Sequence, residues 1–151
     1  MSSIDTSNVM QAQNTVFYLT EKAIKLYRRF AQSKIKEHHS DITIDQLLIL
    51  EKLESSPDIS YSELAEYIFK DSASVSRMLS LLEKNNFIDR ISDENNRRRF
   101  KTKVTSKGKN TLNDVKPLRI KNRKTALKGI SKKDVDTCKK VLNQISNNLT
   151  N

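Results

Sequence analysis

The sequence predicts a mainly α-helical fold with one small β-hairpin, and three observations carry that prediction. Only two glycines and two prolines punctuate 151 residues, so long stretches can run as uninterrupted helix. Apolar residues recur at steps of three and four over most of the chain, the spacing that places them on one side of a helix. Strict alternation, the mark of a half-buried strand, is confined to residues 87–91 and 100–104.

A first helix is expected over residues 9–38, because Val16, Leu19, Ala23, Leu26 or Tyr27, Phe30 and Ile35 make one apolar stripe that wants a partner surface. Thr43 can cap a second helix, IDQLLILEKLE, whose Leu47, Leu48, Ile49 and Leu50 leave almost no polar side and suit the middle of a core. Pro57 ends that helix, and Asp58 to Ser60 are free to form a short extended segment. Ser60 and Glu63 stand as S-x-x-E, the reciprocal capping box of a third helix containing Leu64, Ala65 and Ile68. KDSAS breaks the pattern, and a fourth helix starts at Ser72 or Ala73. It runs through Val75, Met78, Leu79 and Leu82 to Asn85 and Asn86, where asparagine accepts the left-handed backbone that closes helices. FIDRI and FKTKV follow as the hairpin, with Phe100, Thr102 and Val104 on one face and Arg99, Lys101 and Lys103 on the other. Thr105 can cap a fifth helix, bent at Pro117 and closed by Gly129. Ser131 then starts a sixth, on which Val135, Cys138, Leu142, Ile145 and Leu149 form a seam for another helix.

A formal charge of +10 and a pI near 9.7 point to a polyanionic partner, because a basic surface concentrates phosphates and speeds their capture. No apolar run approaches the length of a membrane span and no basic segment leads into an apolar one at the N-terminus, so the reading is cytoplasmic with no membrane partner. The single cysteine, Cys138, rules out an intramolecular disulfide and supplies too little sulfur for a structural zinc site. No metal and no cofactor are expected. A glycine-rich phosphate loop, a nucleophile with a histidine at a telling spacing and a zinc signature are all missing from the sequence, which argues against an enzyme.

Helix, turn, helix and then a basic two-stranded hairpin is the order of a winged helix-turn-helix, in which the second helix of the pair enters the major groove of duplex DNA. Residues 43–105 are read as this region, with a recognition helix at about 72–85 and a wing at about 87–105. Ser74, Ser76 and Arg77 lie near the start of the recognition helix and off its apolar face, in reach of base edges or phosphates. Ser72 and the opening amides could hold a phosphate, since a helix start presents unpaired donors. Between Arg97 and Lys109 stand seven basic residues and no acidic one, so the hairpin is expected to carry charge without internal neutralisation. A charge run is usually a solvated face. Beside a helix-turn-helix it instead falls next to the narrow minor groove, where an arginine can enter.

The residues that carry this constellation resemble the MarR family of bacterial transcriptional regulators, whose wing commonly reads D-x-R, five residues, L-T, then x-x-G. Here the frame is Asn96, Arg97, Arg98, five residues, Val104, Thr105, then Ser106, Lys107 and Gly108. ELAEYI, SASVSRMLSLLEKNNFIDR and KGISKKDVDTCKKVLNQISNNL extend the likeness over nearly the whole chain. The resemblance implies a homodimer in which helices of residues 9–39 and 106–149 intertwine and the winged regions read a palindrome. It makes Arg98 the minor-groove residue, flanked by Arg97, Arg99, Lys101 and Lys103. The family's wing aspartate is Asn96 here, which leaves Asp93 to support the wing, and Asn86 replaces the glycine usual before the wing strand. The open stripes on the first and last helices independently favour a dimer.

The family often places an effector pocket near the dimer core. Phe17, Tyr18 and Tyr27 are candidates to line it, with His38 and His39 close by, although packing for the aromatics and helix-end roles for the histidines are the more ordinary uses of these residues. Adjacent histidines on a helix point apart and cannot clamp one metal. Peroxide-sensing members use a cysteine near the N-terminus, and none occurs there. The expected function is a ligand-responsive repressor that binds a palindromic operator as a homodimer. The competing reading is a basic architectural protein that coats DNA with little sequence preference.

Overall fold

The computed structural model describes residues 14–150 except 94 and 95, with side chains described outside 92–100. Among the described residues, six helices and one hairpin follow in the order α1 (Val16–Lys36), α2 (Ile44–Ser55), α3 (Tyr61–Ile68), α4 (Ser72–Lys84), β1 (Ile88–Asp93), β2 (Asn96–Val104), α5 (Ser106–Ala126) and α6 (Lys132–Thr150). The predicted fold class therefore holds. Two compact units divide at Arg119 and Ile120, so the first turns of α5 belong with the winged core.

Local chemistry fixes most element starts. Thr15 caps α1 by accepting the Tyr18 amide, so among the described residues the helix opens at Val16. Its end comes at Lys36, which leaves His38 and His39 beyond it, both amides bonded to the Ile35 carbonyl. At α2 the Thr43 hydroxyl accepts the Gln46 amide at 3.2 Å and the Gln46 side chain accepts the Thr43 amide at 3.0 Å. The Ser60 and Glu63 box at α3 closes in the same way, at 3.1 and 2.8 Å. Each such cap is worth about 1 kcal/mol. No strand forms over Asp58 to Ser60: Pro57 and Asp58 make a turn across which Ile59 donates its amide to the Ser56 carbonyl, and Ser60 is extended as the cap of α3. Among the described residues the sheet has two strands.

The core of the first unit lies around α2. Leu47, Ile49, Leu50 and Leu53 are buried there and join Leu64, Ala65 and Ile68 of α3, Val75, Leu79 and Leu82 of α4, and Phe87, Ile88 and Val104 of the wing. Each large side chain withdrawn from water contributes about 1.5–3 kcal/mol, so α4 is held rigidly by one side. Leu112 and Val115 of α5, Ile35 of α1 and Ile42 before α2 complete the cluster. Arg28 pairs with Asp45, and the Gln32 side chain accepts the Ile44 amide at 2.9 Å, which fastens α1 to the start of α2.

Gly108 is required by close packing. A Cβ there would stand 2.5 Å from the Phe87 carbonyl oxygen and 2.7 Å from Val104 Cγ1, so only glycine lets α5 begin against the ends of both wing strands. Thr105 completes the junction. Its hydroxyl donates to the Asn86 carbonyl at 2.7 Å and accepts the Gly108 amide at 3.1 Å.

In the second unit, Gly129 adopts φ +80 at the end of the turn after α5, and Ser131 accepts the Asp134 amide at 3.1 Å to start α6. No residue of α6 is buried. The seam expected there is regular in spacing and open.

Candidate nucleic-acid interface

Helix α4 divides into two faces. Val75, Leu79 and Leu82 are buried, while Ser72, Ser76, Arg77, Ser80 and Lys84 are exposed. Its start is built differently from expectation. Asp71 is the cap, its carboxylate accepting the Ser74 amide at 2.7 Å and the Ser74 hydroxyl at 3.0 Å. The Ser74 amide holds the Asp71 carboxyl below its ordinary value, the Ser74 hydroxyl adding to the effect. An anion therefore already sits at the helix opening, where Ser72 and free amides were expected to receive a phosphate. Ser74 Oγ in turn accepts from Arg77 at 3.1 Å. Ser74 thus serves as a link that steadies Arg77, and Ser76 and Arg77 are the outward groups.

The wing pairs antiparallel from Ile88 with Val104 to Ser92 with Phe100, then shifts register so that Asp93 faces Asn96. The shift sets residues 97, 98 and 99 on β2 against the single step from Ser92 to Asp93. The three arginines are thus extra backbone in the wing. The expected facing of Arg99 with Lys101 and Lys103 concerns a side chain outside the described residues. For those two lysines the alternation holds: both are exposed, and Thr102 and Val104 are buried. The side chains of Asp93, Asn96, Arg97, Arg98 and Arg99 lie outside the described residues.

The expected absence of neutralisation needs correction as well. Lys107 Nζ stands 3.0 Å from Asp41 and donates to the Asn85 carbonyl at 2.8 Å, 4.3 Å from the centre of the Phe87 ring. Lys109 faces Glu54 at 3.8 Å. Among the described residues, two of the seven cations are therefore paired with acids on the surface of the fold. Lys107 draws the Asp41 carboxyl below its ordinary value while joining the α1–α2 connection to the end of α4.

Arg90 is a third paired cation, one that the sequence reading missed. It reaches Glu83 through Nε at 3.0 Å and through its terminal nitrogen at 3.3 Å, and also contacts the Ser80 hydroxyl at 3.3 Å. This fork fixes the first wing strand to α4, and the Glu83 carboxylate raises the Arg90 value further. The only sequence signal was a glutamate near the end of one element and an arginine early in the next.

The proposed pocket residues do not converge within one chain. Phe17 and Tyr18 are exposed on α1, and at a helical rise of 1.5 Å per residue His38 lies about 30 Å from Tyr18. His39 Nε2 is 3.9 Å from Asp114. Among the described residues no helix is long and apolar enough to cross a membrane.

A helix-turn-helix with an exposed polar reading face, followed by a wing that glycine and threonine lock onto it, defines the class. The sequence model of the MarR family matches residues 42–100. The HTH-type transcriptional regulator YybA of Bacillus subtilis (strain 168) is 28% identical over 117 residues, 78% of each chain. Among solved structures, the fold is shared with BpsR of Bordetella bronchiseptica, at TM-score 0.78 and 17% identity over 89% of this chain and 95% of that one. MepR of S. aureus in complex with DNA gives TM-score 0.76 and 20% identity over 92% of this chain and 99% of that one. Over residues 42–100 the chain is thus similar to the MarR family, and over most of its length it shares the fold of these proteins. YybA is described as a transcriptional regulator, and MepR is one of these folds solved with DNA bound.

Proposed function

We propose that this protein is a transcriptional regulator that binds a palindromic operator as a homodimer and represses transcription until a small ligand loosens its grip. The observation that carries the reading is the division of α4, buried through Val75, Leu79 and Leu82 and exposed through Ser76 and Arg77. A helix held on one side and polar on the other can enter a major groove, where Arg77 offers a fork to a guanine. Arg98 is the proposed minor-groove residue, with Asp93 supporting the wing and Asn96, Arg97, Arg99, Lys101 and Lys103 on the flanking backbone.

Dimerisation is supported by apolar side chains left open: Val16, Phe17, Leu19 and Leu26 on α1, and Val141, Leu142 and Leu149 on α6. A two-fold protein suits a two-fold site, with recognition helices roughly 34 Å apart. BpsR, whose DNA binding is regulated by 6-hydroxynicotinic acid, supports the ligand-responsive part by fold analogy alone. Release would shift the dimer between spacings that match the operator and spacings that do not. Phe17, Tyr18 and Tyr27 are the proposed lining of the effector site.

Selection of bound duplexes from a random pool at near-physiological salt tests this directly. An inverted repeat with half-sites about one helical turn apart is expected. Loss of binding to excess random duplex, with no motif recovered, would replace the reading with non-specific coating of DNA. Arg98→Ala should weaken binding across sequences, and Arg77→Ala should alter the preferred sequence.

A further inference from the structure

Helices α3 and α4 end in the same way, and the residues placed at the two ends differ. At α3 the amides of Phe69 and Lys70 donate to the carbonyls of Glu66 and Ala65, at 3.2 and 3.0 Å. At α4 the amides of Asn86 and Phe87 donate to Glu83 and Leu82, at 3.0 and 2.9 Å. Both are Schellman endings with a left-handed residue, Phe69 at φ 57 and Asn86 at φ 63. Asparagine tolerates that backbone, and the aromatic ring that follows it, Phe87, is 1% exposed. At α3 the aromatic residue itself takes the left-handed position, its side chain is 93% exposed, and Lys70 follows it on the surface.

Within its own chain Phe69 thus combines an unfavourable backbone with an unburied ring, and glycine or asparagine would serve the turn better. Its location explains the choice. It lies two residues before the Asp71 cap of α4, next to the exposed Lys70 and on the approach to Ser76 and Arg77. We propose that Phe69 is a DNA-contacting residue, its ring packing on a thymine methyl or a sugar face at the edge of the groove that α4 enters, with Lys70 on the neighbouring phosphate. This rests on the reading of α4 as the recognition helix. Duplex is the favoured occupant because the exposed ring stands in the turn between α3 and α4, beside the exposed Lys70 and just ahead of the helix read as entering the groove.

The test uses the full chain, the duplex recovered by selection, and the variants Phe69→Asn and Phe69→Gly, both of which fit a left-handed turn. Thermal melts should show no loss and a gain of about 2–4 °C for Phe69→Asn, since the strained backbone is relieved. Operator affinity should fall about tenfold in both variants, with the slope of log affinity against log salt unchanged because no phosphate contact is removed. Lys70→Ala should instead reduce that slope by about one ion. Wild-type affinity in both Phe69 variants, alongside loss of specificity in Arg77→Ala, would overturn the inference and leave the recognition helix standing. If neither Phe69 nor Arg77 substitutions change binding, the recognition reading itself fails and the inference with it.

Discussion

Helices α4 and α6 carry apolar stripes of the same period, yet one sits in the core and the other lies open. Val75, Leu79 and Leu82 of α4 are buried against α2, α3 and the wing. Val141, Leu142 and Leu149 of α6 are exposed, and none of its residues is buried. The difference teaches that helical periodicity specifies a face and leaves its partner open. For α4 the partner is supplied by the same chain, whereas for α6 the proposed partner is a second copy.

Four outcomes would sharpen or break this contrast. Leu79→Ala should cost about 3 kcal/mol in urea unfolding of the whole chain, because it empties a fully buried site. A loss under about 1 kcal/mol would mean that α4 is less tightly packed than it stands here. Gly108→Ala should cost about 2 kcal/mol, the new methyl group meeting a backbone oxygen and Val104 that cannot both retreat. Leu142→Ala should change winged-core stability by less than about 0.5 kcal/mol, the range of exposed substitutions. It should nevertheless weaken self-association in sedimentation at low micromolar concentration. Unchanged sedimentation would leave the α6 seam without its proposed partner.

The smallest effect concerns pH. The Asp41 carboxyl is held below its ordinary value by Lys107, so its contribution is present above the usual carboxylate range and is lost as pH falls through the folded value. Asp41→Asn should flatten the acid limb of a stability-against-pH curve and leave neutral stability little changed, because the pair is largely solvated. An acid limb identical to that of the parent chain would show that Lys107 works through Asn85 and the Phe87 ring alone.

Features that act over three or four residues were legible in the sequence. Thr43, Ser60 with Glu63, Thr105, Ser131 and the left-handed Asn86 all do what their side chains imply, because a cap is satisfied by neighbours along the chain. Asp71 is legible too, as an acid three residues before Ser74 and just ahead of the helix start expected at Ser72 or Ala73. Ser74, a candidate base or phosphate contact, is also engaged within the chain by Asp71 and Arg77. Lys107 with Asp41, 66 residues apart, left no local trace, so it was counted among the free charges of the wing.

The sequence by itself determined the helices, the hairpin and the apolar face of each element, since backbone propensity, capping and side-chain period are properties of short segments. Only the tertiary structure decided which basic residues remain available. It assigned Lys107, Lys109 and Arg90 to acids brought close by folding and left Arg77, Lys101 and Lys103 facing outward. The physical reason is range: a charge is neutralised by whatever lies within a few ångströms in space, and that neighbour is chosen by packing of the whole chain.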